Sequence, residues 1–164
     1  MLKIRRKMIF QGTILAILVL SSCSVTRYHI HDGYYTAEAE EYNEHGWKDY
    51  ITICVSSGKI ILVEFNSFNR SGLLKTWDMN YMRQMNSVSG TYPSAYTRHY
   101  GEKLLSFQDL EGVDALSGAT LSYHVFIRLA EAVMENARQG NPEMRLVNLQ
   151  DITGLPAGSL PDKK

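Results

Sequence analysis

The 164-residue chain predicts an α+β domain: an antiparallel β-sheet with a long C-terminal helix and shorter helices packed on it. Three observations carry that expectation. Short alternating segments rich in β-branched and aromatic residues come first, one long stretch of helical periodicity comes late, and Gly, Pro, Asn and Asp punctuate the chain between them. Strands gathered in one part of a chain and helices in another bury their apolar faces as a sheet with helices on it. No internal repeat is visible, and the residues left after the N-terminal segment is set aside suffice for one core.

Tyr34 to Ala39, Tyr50 to Val55 and Lys59 to Phe65 read as strands, with Asp32-Gly33 as the turn before the first. In the second, Ile51, Ile53 and Val55 alternate with Tyr50, Thr52 and Cys54, so one set faces inward. Ser56-Ser57-Gly58 is a short polar link whose glycine accepts positive φ, which makes the second and third strands a hairpin and the first a meander neighbour. Asn43-Glu44-His45-Gly46 has turn composition, and Trp47 behind it is placed to cap one end of the sheet. Asn66 to Gly72 reads as a loop. A short helix follows, capped by Asp78, with Tyr81, Met82 and Met85 on one face. A second short helix begins at Pro93, with Tyr96, Tyr100 and Leu104 recurring every four residues. The main helix runs from about Leu121 to Gln139: Val125, Leu129 and Val133 form a row, Phe126, Ala130 and Ala137 widen it, and Gly140-Asn141-Pro142 ends it. Arg145 to Leu149 is expected to add an edge strand. A flexible tail covers 150–164, where Gly154 to Lys164 carries almost no apolar pattern.

Residues 1–22 have the form of a secretion signal, with Lys3, Arg5, Arg6 and Lys7 ahead of an apolar run from Met8 to Leu20. Leu20-Ser21-Ser22-Cys23 resembles a bacterial lipobox, in which the cysteine sulfur takes a diacylglycerol and begins the mature protein. The alternative is an uncleaved membrane anchor, and 13 mostly apolar residues fall short of the roughly 20 that span a bilayer. Residues 23–31 then form a tether, 32–149 the domain, and the chain is expected at the cell membrane, held by lipid and facing the extracytoplasmic side. The signal contains four of the 17 basic residues, leaving 13 against 17 acidic ones and a net charge of −4. An acidic domain without a Lys/Arg cluster does not suit a nucleic-acid partner, whose affinity comes from neutralised phosphates. With Cys23 lipidated, Cys54 is the one thiol left, so no disulfide framework or cysteine-rich metal site is expected; in its apolar strand Cys54 reads as a small packed hydrophobe. His29 and His31 share a side of an extended chain, but zinc needs about four ligands and no third is signposted. Glu38, Glu40 and Glu41 read as a solvated rim, not a hydrolase pair.

The segment with chemical content is Asp114-Ala115-Leu116-Ser117-Gly118-Ala119-Thr120, immediately ahead of the main helix. It delivers a threonine hydroxyl beside small residues at a helix start, where unpaired N–H groups and the positive end of the dipole suit an anion. Thr120 is either an acceptor hydroxyl or an ordinary N-cap; Ser117 can serve as the cap instead and leave Thr120 free. These residues resemble the flavinylation motif of the FMN-binding domain family, in which Asp, a Ser-Gly-Ala stretch and Thr precede a helix. The resemblance extends over most of Asp32 to Gly140 through Asp32-Gly33-Tyr34-Tyr35, Gly46-Trp47, Gly58-Lys59-Ile60, Gly72 with Lys75, and Tyr81 with Met85. Tyr123 departs from it, standing where relatives often carry a second serine after the position of Ser122.

That resemblance implies FMN joined to Thr120 through a phosphoester made from FAD by a separate flavin transferase. It implies an electron-transfer flavoprotein without turnover of its own, related to extracellular flavin carriers and to flavinylated subunits of ion-pumping quinone reductases, with membrane or extracellular redox partners. Gly118 and Ala119 would keep the approach open. Asp114 is expected to bond loop N–H groups or assist the transferase, with a plain turn aspartate as the alternative. Lys75 is either a compensating positive charge for phosphate or ring, or solvated surface. Tyr81, Met82 and Met85 are either a platform for the flavin ring or a core-facing stripe. Two other functions stay open: a module that holds or delivers FMN reversibly, and a structural surface lipoprotein without flavin.

Overall fold

A computed structural model of the chain describes residues 29–153; the signal, Cys23, most of the tether and Gly154 to Lys164 lie outside the described residues. Three antiparallel strands, β1 (Gly33–Ala39), β2 (Lys48–Ser56) and β3 (Lys59–Phe68), follow one another as a meander. Then come a short 3-10 turn (Lys75–Trp77) and three helices, α1 (Met79–Ser89), α2 (Pro93–Phe107) and α3 (Thr120–Gln139). A three-residue strand, β4 (Arg145–Val147), and a helical turn, α4 (Gln150–Thr153), close the described chain. The sheet order is β3-β2-β1-β4.

The α+β expectation holds, and the sheet is antiparallel except at one edge, where β4 runs parallel to β1 from Ala37–Arg145 to Ala39–Val147. The physical reason is α3. It packs on β1 and β2 and ends beside the start of β1, where His31 N donates to Ala137 O, which fixes the direction of the strand that follows.

The second strand behaves as its alternation predicts: Ile51, Ile53 and Val55 are buried against α3, whose Phe126, Leu129 and Val133 are fully buried too. The turn between β2 and β3 is held from a distance. Asp32 accepts hydrogen bonds from Ser57 N and Gly58 N at 2.9 Å each, and these backbone donors pull its carboxyl below the ordinary value. The tether ends earlier than expected, since Ile30 already packs in the core and His31 N donates to Ala137 O at 2.8 Å.

Four boundaries differ from the sequence reading. The third strand continues through Asn66 and Ser67, both buried polar residues, to Phe68; hydrogen bonds satisfy them, so their polarity does not end the strand. The helix from Pro93 is 15 residues long rather than short, because Tyr100 buries its ring against Phe65 and Phe126 and Tyr96 packs on Tyr100. The edge strand stops at Val147. Part of the segment expected as tail is helical, with Ile152 buried in the core.

Candidate functional site

The motif lies on a tight turn between two helices. Ala119 N donates to Leu116 O at 3.0 Å, closing a turn in which Gly118 sits at φ +79°. The glycine is required twice over: its backbone conformation is left-handed, and a Cβ there would collide with the carbonyl oxygen of Ser89 at the end of α1. The turn is therefore wedged against a neighbouring helix terminus.

Thr120 is the first residue of α3 and is exposed. Ala119 is the N-cap and has no side-chain oxygen, and no side chain caps this terminus. Ser117, the alternative cap, is an exposed turn residue instead, two positions ahead of the N-cap. The first backbone bond of the helix runs from Tyr123 N to Ala119 O at 2.9 Å, so the N–H groups of Thr120, Leu121 and Ser122 lie ahead of the ladder.

What holds the turn from below is Tyr100, a fully buried residue of α2. Its hydroxyl donates to Ala119 O at 3.0 Å and accepts from Leu116 N at 3.3 Å, bridging the two ends of the turn. Burial, first of several causes, pushes this phenol up to about 12, so it remains a donor across the physiological range. A neighbour on the same helix grips Asp114, with Lys103 Nζ 3.0 Å from Oδ1; His99 Nε2 lies 3.8 Å from the same oxygen, buried and without a hydrogen-bond partner among the described residues. The Lys103 hydrogen bond, followed by Asp114's own backbone N–H, holds this carboxyl below its ordinary value. Of the readings for Asp114, a loop N–H contributes through its own backbone, and the chief partner is a lysine on the facing helix, which neutralises a charge that would repel an anion. Tyr123, the departure from the motif pattern, is buried and packs its ring 5.9 Å from that of Tyr100.

Lys75 is not solvated surface. It is 8% exposed, with Nζ 4.9 Å from the Tyr81 ring centroid and 5.8 Å from that of Trp47. Burial pulls its ammonium down, but Tyr96, Asp49 and Tyr81 together outweigh this and hold it above the usual lysine value. Asp49 is buried beside it, accepts from Ser67 Oγ at 2.5 Å, and is pushed up by burial against the pull of Lys75 and Ser67. Burial pushes the Tyr96 phenol beside Lys75 up, and Lys75 and Ser122 of the motif helix pull against it. Thus Lys75, Asp49, Tyr81 and Tyr96 form one group, with Ser122 at its edge. Met85 is half-buried against the core and Tyr81 stacks edge-on to Trp47 at 6.0 Å, so both serve packing from a helix with no fully buried residue.

Two concavities lie away from the motif: a groove of about 490 Å³ between β3 and α2, bordered by Trp77, Arg98 and Glu102, and one of about 220 Å³ lined by Glu40, Glu41, Glu44 and Asp49. Among the described residues no group of His, Cys, Asp or Glu could hold a metal ion.

The sequence reading places Tyr100 on the correct helix face but misses its role, along with those of His99, Lys103, Asp49 and Ser67. A signal exists: a tyrosine in an apolar stripe buries a hydroxyl that needs a partner. Which partner it finds depends on how α2 and α3 cross.

Over 126 residues the chain is 35% identical to the 15 kDa lipoprotein of Treponema pallidum (strain Nichols), a match spanning 77% of this chain and 88% of that protein. The chain belongs to the family of that lipoprotein. A protein from Clostridium perfringens of known crystal structure is 37% identical, covers 73% of this chain and 98% of its own, and superposes with a TM-score of 0.71. No protein-family profile matches the chain. The aligned share of the lipoprotein family therefore includes most of the folded domain. Among the described residues no helix is long and apolar enough to cross a membrane.

Proposed function

We propose that the protein is a lipid-anchored flavoprotein that carries FMN esterified to Thr120 and passes electrons between partners outside the cytoplasm. The supporting observation is the setting of Thr120: an exposed hydroxyl at the first position of a 20-residue helix whose terminus no side chain caps. A phosphodiester at that oxygen meets the free N–H groups of Leu121 and Ser122 and the positive helix end, an interaction of roughly 0.3–1 kcal/mol at an exposed site. So small a term orients an anion without retaining it, which is why a covalent ester suits a cofactor displayed at the surface. The donor set fits the phosphate: backbone N–H groups, small residues at 117–119, and an Asp114 already neutralised by Lys103.

The flavin supplies the redox chemistry, and the protein fixes its position and leaves an edge accessible. In this reading Lys75, Tyr81, Met85 and Ser122 are the side chains offered to the phosphate or the ring. The membership of a lipoprotein family supports attachment of lipid at Cys23, and the proposal puts the domain on the extracytoplasmic side. A flavin transferase and soluble or membrane-bound redox partners complete the proposal.

The experiment is intact mass after coexpression with a flavin transferase and FAD. The expected product carries one FMN increment and keeps its flavin fluorescence on a denaturing gel, and Thr120→Ala carries neither. An unmodified wild-type chain, or a Thr120→Ala chain that is still labelled, ends the proposal.

A further inference from the structure

We infer that Tyr100 is the positioning residue for modification at Thr120: it locks the Leu116–Ala119 turn in the shape that presents the acceptor hydroxyl to the transferase. This rests on the flavin reading above. The observation is that one buried hydroxyl serves both ends of the turn at once, donating to Ala119 O at 3.0 Å and accepting from Leu116 N at 3.3 Å. Ala119 is the residue from which α3 starts, and its carbonyl also accepts the first helical bond from Tyr123 N. The hydroxyl therefore ties the turn to the helix start, one residue from Thr120. The ring cannot swing away, because it is fully buried among Phe126, Tyr123 and Phe65 at centroid distances of 5.5, 5.9 and 6.5 Å.

The other contacts to the motif come from two helices. Lys103, a neighbour of Tyr100 on α2, holds Asp114, and Ser89 at the end of α1 closes the Gly118 side. The motif is a preformed feature of a rigid scaffold rather than a segment that the transferase must fold.

The step that depends on this is a phosphoryl transfer. Thr120 Oγ1 attacks the flavin-side phosphorus of FAD; a new O–P bond forms, the pyrophosphate O–P bond breaks, AMP leaves with the bonding pair, and the hydroxyl proton passes to a base of the transferase. No electrons are gained or lost. Displacement in line at phosphorus is sensitive to placement of the nucleophile, and a shift of about 1 Å costs on the order of a hundredfold in rate.

The test compares wild type, Tyr100→Phe and Val133→Ala as full chains, following FMN loading by intact mass against time with purified transferase and FAD. Hydrogen exchange at the Leu116 amide and thermal unfolding are measured in parallel. Tyr100→Phe keeps the ring and removes only the clamp; Val133→Ala, at a fully buried position in the middle of α3, destabilises the fold away from the turn. The expected result is faster Leu116 exchange and loading slowed by about ten- to a hundredfold in Tyr100→Phe, with Val133→Ala loading at the wild-type rate. Tyr100→Phe loading as fast as wild type overturns the inference and leaves the flavin reading standing. Equal slowing in both variants also overturns it, because stability alone would then account for the effect. A wild-type chain that never loads sinks the flavin reading itself, and the inference with it.

Discussion

Gly118→Ala is the sharpest structural test of the motif, because two separable penalties meet there. The first is conformational: at φ +79° an L-residue with a Cβ costs roughly 1–2 kcal/mol. The second is steric, since the added methyl would overlap the Ser89 carbonyl, and overpacking against a backbone that must shift costs about 1–3 kcal/mol. Gly72→Ala isolates the first, because Gly72 has φ +81° and a methyl added there meets no atom within 4 Å. Gly72→Ala is expected to lose about 1–2 kcal/mol and Gly118→Ala about 2–5 kcal/mol, by equilibrium urea unfolding with unchanged m-values. The difference measures the contact between α1 and the motif turn. Equal losses within about 0.5 kcal/mol would mean that this contact is absent in solution and that the turn is not wedged as described.

The other predictions concern single groups. Thr120→Ala is expected to leave stability within about 0.5 kcal/mol of wild type, since the side chain is exposed and caps nothing; a larger loss in thermal unfolding would make Thr120 structural. Asp114 has its carboxyl held below 3.8 in the folded state, so the native chain binds fewer protons than the unfolded one across that window. Its contribution is present above 3.8 and disappears as pH falls through the lower folded value, so the stability gap between wild type and Asp114→Asn should close on acidification; a gap unchanged from neutral to strongly acid pH would contradict the Lys103 pairing. Cys54 is free and 7% exposed. In a chain with Cys23 replaced, a thiol reagent should label it far more slowly in the native state than in urea, and equal rates would show that β2 opens readily.

Periodicity and punctuation determined most of the architecture. The alternation of Ile51, Ile53 and Val55, the turn at Ser56-Ser57-Gly58 and the four-residue spacing in 121–139 specify strands and helix locally, because each fixes which side chains share a face. Asp78 was legible as a cap for the same reason, and its carboxylate accepts from Asn80 N and Tyr81 N. The motif was legible as a run of residue types, and Thr120 stands exposed at a helix start as that run implied. Only the tertiary structure decided what supports it. Lys75 is buried, Asp114 pairs with Lys103, and Tyr100 bridges Leu116 and Ala119, and each of these contacts joins segments whose meeting depends on how α2 lies across the sheet and α3. The parallel edge strand β4 is of the same kind. A spacing rule acts along one chain segment, whereas a hydroxyl or an ammonium finds its partner through the packing of several, so chemistry that crosses elements is settled only when the elements meet.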